Sequence, residues 1–386
     1  VVRSFAFTSS AVILAVLWAS VRPITADAQH PAGADPRLGL PFLAASDDRA
    51  GERSALGRKL FMDRRLSRNG TMSCGMCHVP EQGFTVNEVS TAVGIEGRTL
   101  RRNAPTLLNV GYNTSWFHDG RASTLEEQAW GPLLSADEMD NGSRGAVAEQ
   151  LARLPDYAGL FEQAFTGSGP SPDTIGAALA AYQRSLVSGG SRFDRFFYKS
   201  EVGALTASER RGYVLFRGVA HCDACHTLEG GNTLFTDNKF HNLGVGLDKG
   251  DRSSQQVSVR LAAGVETKVP AALLDSMFRA PAGDAGRFEA TGVEKDRFAY
   301  RTPTLRNIAL TAPYMHDGSL VTLRDVVDFY DRGGNPNPGL DQLMMPLFLS
   351  ERQKEDLVAF MRALTGANVE ELARDARAAA NTPSLR

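Results

Sequence analysis

All four cysteines of the chain fall in two copies of one pattern, Cys74-Gly75-Met76-Cys77-His78 and Cys222-Asp223-Ala224-Cys225-His226. Two cysteines separated by two residues suit thioether bonds to the two vinyl groups of one porphyrin, and the histidine that follows suits the iron. The pattern therefore implies two covalently attached c-type haems, each of which the fold must enclose. A zinc clip, a redox dithiol or a pair of disulfides would also use the cysteines. Each of these leaves the histidine after the second cysteine unexplained, in both copies.

Haem attachment to such a pattern follows export, and the amino-terminus agrees. Arg3, the apolar run from Ala11 to Trp18 and Ala26-Asp27-Ala28 before Gln29 have the order of a secretory signal, so a leader is expected over residues 1–28. Ala11 to Trp18 is eight residues, against the roughly 20 that a spanning helix needs. No membrane span is expected in the mature chain, and the expected location is the periplasm. A formal net charge of -2 gives no reason to expect nucleic acid. The clustered Arg98, Arg101 and Arg102 read as a solvated basic face, available to steer a partner or to pair with haem propionates. The length of 386 residues and an apolar content of 42% suit two domains.

The chain is an imperfect duplication. At an offset of 198, APTLLNVGYNTSWFHDGRASTL from Ala104 aligns with TPTLRNIALTAPYMHDGSLVTL from Thr302, with nine of 22 positions identical. Gly57-x-x-Leu60-Phe61 precedes the first haem motif and Gly212-x-x-Leu215-Phe216 the second. Ile175, Leu179, Tyr182 and Leu186 form one stripe after Ser171-Pro172-Asp173, predicting an amphipathic helix that closes the first half. In the second half Leu357, Phe360, Met361 and Leu364 follow a Ser350-x-x-Gln353 capping box. Thr206-x-x-Glu209 is another such box, and Ser188-Gly189-Gly190-Ser191 marks a nearby boundary. The expectation is a mainly α fold of two cytochrome c-like helical domains, residues 29–200 and 201–375, each wrapped round one haem, with a tail over 376–386. The haem motifs are 148 apart but the HDG segments 198 apart, so the second half carries an insertion within Gly230 to Arg301. Its composition reads as long loops with some helix, placed to cover the interface. The Ala- and Arg-rich stretch after Ala367 reads as a frayed helix.

The order of the two haem motifs, together with RNAPTLLN, FHDGRASTLEEQA, FTDNKFHNLG and TPTLRNIALTAPYMHDGSLVTL, resembles the bacterial dihaem cytochrome c peroxidase superfamily, especially its MauG-like branch. The resemblance covers nearly the whole mature chain. It implies an amino-terminal haem that meets hydrogen peroxide and a carboxy-terminal low-spin haem that stores or relays electrons. Reductively activated members close the first iron with a histidine from the loop after the first motif. No histidine stands between Val79 and Phe117 here, so that haem is expected to be open.

The duplication supports this, because Pro132 in the first half stands opposite Tyr330 in the second. Proline has no atom to give iron, whereas a tyrosine oxygen ligates ferric haem. The resemblance places the distal glutamate at Glu138, with Gln128 and Pro132 as its neighbours, and makes Tyr330 the second ligand of the His226 haem. From the residues alone, Glu138 reads as an ordinary acidic loop residue and Tyr330 as part of a core stripe with Leu323, Val326 and Val327; Met315, Met344, Met345, His241 and His316 are the alternative ligands. The tryptophan that relatives place between the haems is His118 here, with Trp116 two residues before it, so either could form an inter-haem relay. HDG also reads as a fold-stabilising turn common to both halves. Asn103, Thr311 and Pro313 match the family's calcium site, which uses hard oxygen donors.

The sequence thus points to a periplasmic enzyme that reacts with peroxide and oxidises a protein partner, as in MauG-like maturation. Ala220 replaces a surface tryptophan of the methylamine-utilisation members, which weakens methylamine dehydrogenase as that partner and leaves the methanobactin-associated MbnH group as a branch to consider. One alternative is a cytochrome c peroxidase supplied with electrons by a small cytochrome or cupredoxin. The other is an electron-transfer cytochrome without peroxide chemistry.

Overall fold

The computed structural model describes residues 39–43, 48–228, 231–247, 256–262, 265–270 and 283–380. The expected leader and the last six residues of the tail lie outside the described residues. The fold is mainly helical, as the periodicity predicts. In the first half α1 (Ala50–Met62) leads to the short haem-motif helix α2 (Cys74–Cys77). Then follow α3 (Leu125–Leu134), α4 (Arg144–Ala152), α5 (Leu160–Ala164) and α6 (Pro172–Ser185). The second half continues with α7 (Arg192–Tyr198), α8 (Ala207–Arg217), α9 (Phe288–Thr291), α10 (Leu323–Asp331), α11 (Glu351–Arg362) and α12 (Val369–Ala380). No helix among the described residues is long and apolar enough to cross a membrane.

Helix starts follow local chemistry. Ser171, Ser191, Thr206, Thr322 and Ser350 each accept a hydrogen bond from the backbone N–H of the third residue of the helix they cap, whose side chain in turn accepts one from the cap backbone N–H. Each half rests on one tight helix crossing, α1 on α6 and α8 on α11. A Cβ on Gly57 would lie 1.9 Å from the Ala178 carbonyl oxygen, and one on Gly212 would lie 1.9 Å from that of Asp356. Only glycine admits backbones so close. The stripe of Ile175, Leu179, Tyr182 and Leu186 is buried with Leu60 and Phe61 in the first core. Phe193 meets Phe235 and Phe360 edge to face in the second, and Phe216 meets Phe235 in the same way.

The cores divide between Leu186 and Phe193, ahead of the expected split near residue 200. The carboxy-terminal stretch also differs from the frayed helix expected. Helix α12 packs back on the first half, with Val369 and Ala376 buried in its core. Arg58 bonds Asp375 and Arg377 forms a two-point ion pair with Glu81, so long-range ion pairs hold the helix along with its buried apolar face. The insertion in the second half holds strand pairs as well as loops and helix: β1 (Phe240–Asn242) pairs antiparallel with β4 (Ala299–Arg301), and β2 (Gln256–Ala262) with β3 (Val265–Pro270).

The duplication is visible in hydrogen bonds. The Trp116 indole donates to the Val110 carbonyl (3.2 Å), and the Tyr314 hydroxyl donates to the Ile308 carbonyl (3.1 Å). Asn109 and Asn307 both take left-handed backbone, with φ of 64° and 63°. Across the junction Asn103 N–H donates to the His316 carbonyl (2.7 Å), and Arg301 N–H donates to the His118 carbonyl (2.8 Å). Both bonds link the same pair of aligned positions in opposite directions, so the halves meet about a local two-fold axis.

Candidate haem sites and their surroundings

The two haem motifs present their histidines in the same way. His78 Nδ1 lies 3.1 Å from the Phe84 carbonyl, and His226 Nδ1 lies 2.8 Å from the Phe235 carbonyl. A carbonyl only accepts, so each Nδ1 carries the proton and each Nε2 keeps its lone pair. Burial lowers the pKa of both rings, and neutral imidazole is the form that binds iron. Burial also raises the Cys74 and Cys222 thiols to about 12.

Each motif opens onto its own cavity. Cys74, Cys77 and His78 share the wall of the first with Phe61, Gln128, Pro132, Glu138 and Met139. Cys222, Cys225, His226 and Tyr330 line the second, together with apolar residues that include Leu305, Ile308, Val327 and Leu357. A cysteine pair, an imidazole with a free Nε2 and an apolar wall are what a covalent haem requires, so the residues fit the group in both halves.

Helix α3 shows how the first cavity is built. Gln128 and Pro132 lie four apart, on one face, and both reach the cavity. Pro132 inside the helix removes one amide donor, but it also keeps any side-chain ligand from that position. Glu138 follows in the next loop. Ile95 N–H donates to its carbonyl (2.9 Å), and Gly94 passes so close that a Cβ would lie 1.9 Å from the Asp137 carbonyl oxygen. The contact holds Glu138 against the cavity, where burial raises its carboxyl pKa, opposed by the nearby Arg121. Gln183 of α6 lines the same wall and carried no distinguishing mark in the sequence beyond its helical register.

Helix α10 is the counterpart of α3, and Tyr330 faces the second cavity from the position that Pro132 holds in the first. The Tyr330 hydroxyl makes no hydrogen bond with the described residues, and burial raises its pKa. The alternative ligands line the same cavity, and three of them are otherwise engaged or turned outward. His241 lies between Asp341 (2.6 Å) and Asp237 (3.1 Å), His316 stacks on Tyr300 at 3.6 Å, and Met345 is 58% exposed.

The structure separates the two relay candidates. Trp116 is buried in the first core, whereas His118 lines the second cavity at the junction. His118 Nε2 lies 2.9 Å from the Asn103 carbonyl, and burial lowers its pKa to about 3, so it is neutral. HDG is a structural turn in both halves: Asp119 accepts from the Arg121 backbone, and Asp317 from that of Ser319. Asn103, Thr311 and Pro313 all line the second cavity. The basic cluster is only in part the solvated face expected. Arg102 is largely enclosed between Asp119 (2.6 Å) and Asp284 (2.6 Å), whereas Arg101 pairs with Glu289 and Arg98 with Glu96 nearer the surface. Their partners at Asp284 and Glu289 belong to the insertion, which the sequence could not place against them.

Residues 51–202 match the di-haem cytochrome c peroxidase family. The methylamine utilization protein MauG of Methylorubrum extorquens is 39% identical over 81% of this chain and 78% of its own length. The cytochrome-c peroxidase IdrP1 of a Pseudomonas species is 35% identical over 88% and 87%. A solved MauG-like protein associated with microbial copper homeostasis superposes with a TM-score of 0.68 at 31% identity, covering 89% of this chain and 96% of its own. Repeated haem motifs, matching helices round two cavities and similarity along most of the chain lead to one conclusion: the chain belongs to the di-haem cytochrome c peroxidase family of c-type haem oxidoreductases acting with peroxide.

Proposed function

We propose that the chain reacts with hydrogen peroxide at an open first haem without prior reduction, and passes the oxidising equivalents to a protein partner. The observation that carries this reading is the pair Pro132 and Tyr330 on equivalent helices, one unable to ligate and the other facing its cavity with a free hydroxyl. A bound haem c supplies an iron that accepts a peroxide oxygen and holds the redox equivalents.

The protein supplies the proton chemistry. Glu138 faces the His78 cavity and can take a proton from one peroxide oxygen and return it to the other as the O–O bond breaks. Its raised pKa suits both halves of that exchange. Gln128 adds an amide beside it, and Pro132 leaves the approach free. In the second half His226 and Tyr330 line one cavity and would together hold a bound haem iron there. The Tyr330 phenolate favours oxidised iron, and a metal charge reverses the rise that burial alone gives the hydroxyl.

Asn103, Thr311 and Pro313 are the proposed calcium ligands, since all three line the second cavity and offer hard oxygens. Secretion to the periplasm is proposed from the leader pattern. Relatives of both names are similar to this chain, and protein oxidation of the MauG type is favoured over electron supply from a small cytochrome because a Tyr330 phenolate would favour oxidised iron and so suit the storage of oxidising equivalents. Tryptophan on the partner is the proposed target. Incubation of the fully oxidised protein with peroxide and the products of neighbouring genes, followed by peptide mass spectrometry, tests this. A partner oxidised only in the presence of peroxide supports it; peroxide turnover that needs a reduced cytochrome or cupredoxin counts against it.

A further inference from the structure

Arg301 is a half-buried arginine whose guanidinium the protein leaves unbalanced. Its Nε is sealed from solvent without a hydrogen-bond partner, and Nη1 reaches only the Asn113 side-chain oxygen and the Thr302 carbonyl, both at 3.3 Å. Among the described residues no carboxylate pairs with it. Two other arginines are treated differently. Arg306 is clamped by both oxygens of Asp194 (2.9 and 2.8 Å), and Arg102 lies between Asp119 and Asp284. Burial without a counter-charge lowers the pKa of Arg301 to about 10, which still leaves it charged at neutral pH. An isolated buried charge is costly, so the site calls for an anion.

The surroundings identify which anion. Arg301 ends β4, lines the cavity of the second haem motif, and is tied through its backbone N–H to the His118 carbonyl of the first half. Most of the remaining wall is apolar and includes Leu243, Val245, Leu305 and Ile308. A small hydrated anion gains little from such a wall. A carboxylate carried on an apolar disc gains both the wall and the guanidinium, which is shaped to hold two carboxylate oxygens. We infer that Arg301 binds a propionate of the haem attached at Cys222 and Cys225, and fixes that haem edge at the junction beside His118. The duplication adds to the argument, since the equivalent position in the first half is Asn103, a neutral amide. The symmetric contact is therefore asymmetric in charge, with a guanidinium in the second half where the first half has a neutral amide.

The inference rests on haem attachment in the second half and not on the peroxide chemistry. Arg301→Gln and Arg301→Lys in the full chain, each checked for two covalent haems, test it by redox titration and resonance Raman spectroscopy. Removing the charge should lower the midpoint of the low-spin haem and shift its propionate-bending band, while the first haem moves less. Lysine should keep most of the potential yet shift the band, because it cannot form the two-point contact. Unchanged bands and midpoints in Arg301→Gln with both haems present would overturn the inference. A shift confined to the first haem would do so too, as would a wild-type midpoint that follows phosphate concentration, the mark of a free anion. If Arg301→Gln does not accumulate, the lysine variant alone decides through its Raman band.

Discussion

Substituting Gly94 by alanine should disable Glu138 without touching it. Gly94 has φ of -93° and ψ of -156°, a backbone that alanine adopts freely, so any effect comes from contact alone. The added Cβ would lie 1.9 Å from the Asp137 carbonyl oxygen and 3.0 Å from the Glu138 Cα, whereas ordinary contact begins at 3.4 Å. Both neighbours are backbone, so the segment carrying Glu138 must retreat by about 1.5 Å to reach that spacing. Overpacking of this kind costs about 1–3 kcal/mol of stability. A misplacement of about 1 Å at a reacting group can cost about 100-fold in rate. Gly94→Ala should therefore slow the peroxide step about 100-fold while keeping both haems, as read by stopped-flow absorbance and a haemochrome assay. Glu138→Gln should slow the same step by about 100-fold or more, and the double variant should be little slower than Glu138→Gln alone. A Gly94→Ala protein that melts lower but reacts at the wild-type rate would refute the reasoning, as would rate losses that multiply in the double variant.

Other outcomes follow from the same geometry. Burial raises the Glu138 pKa, so the carboxylate is lost at a higher pH than in an ordinary glutamate, near 4.3, and the rate of the peroxide step should fall with acid above that value; Glu138→Gln should abolish this limb. The corresponding stability term has the opposite sense: the buried neutral carboxyl costs least at low pH, and its contribution to stability is lost as pH rises through the raised pKa, which melting curves across that range would show. Tyr330→Phe should remove the low-spin signal of the second haem in electron paramagnetic resonance, and Tyr330→Met should raise its midpoint in redox titration; an unchanged signal and midpoint would pass the ligand role to Met344 or another cavity residue. Arg306→Met should destabilise the second half by about 3–5 kcal/mol in denaturant unfolding, because it leaves Asp194 charged and fully buried without its partner.

The features legible in the sequence were those fixed by short-range chemistry or repetition. Capping at Thr206 and Ser350, the stripe on α6 and both haem motifs are local patterns, and each appears where the periodicity predicts. The offset of the duplication also linked Pro132 to Tyr330 before either cavity was known. Long-range partners were not legible. Arg102 looked solvent-facing because Asp284 is distant in the chain, and α12 looked frayed because the face it needs belongs to α1 and the loop at Glu81. Gly94 and Gln183 carry no motif, and their importance exists only once the walls of the first cavity are assembled. The reciprocal bonds of Asn103 and Arg301 likewise required both halves.

The central claim is that the first haem is open in the fully oxidised protein because Pro132 supplies no ligand. Electron paramagnetic resonance of the ferric protein, followed by peroxide mixing without any reductant, tests it most directly. The account predicts one high-spin and one low-spin haem and an immediate reaction with peroxide. Two low-spin signals, with reaction only after one haem has been reduced, would contradict it.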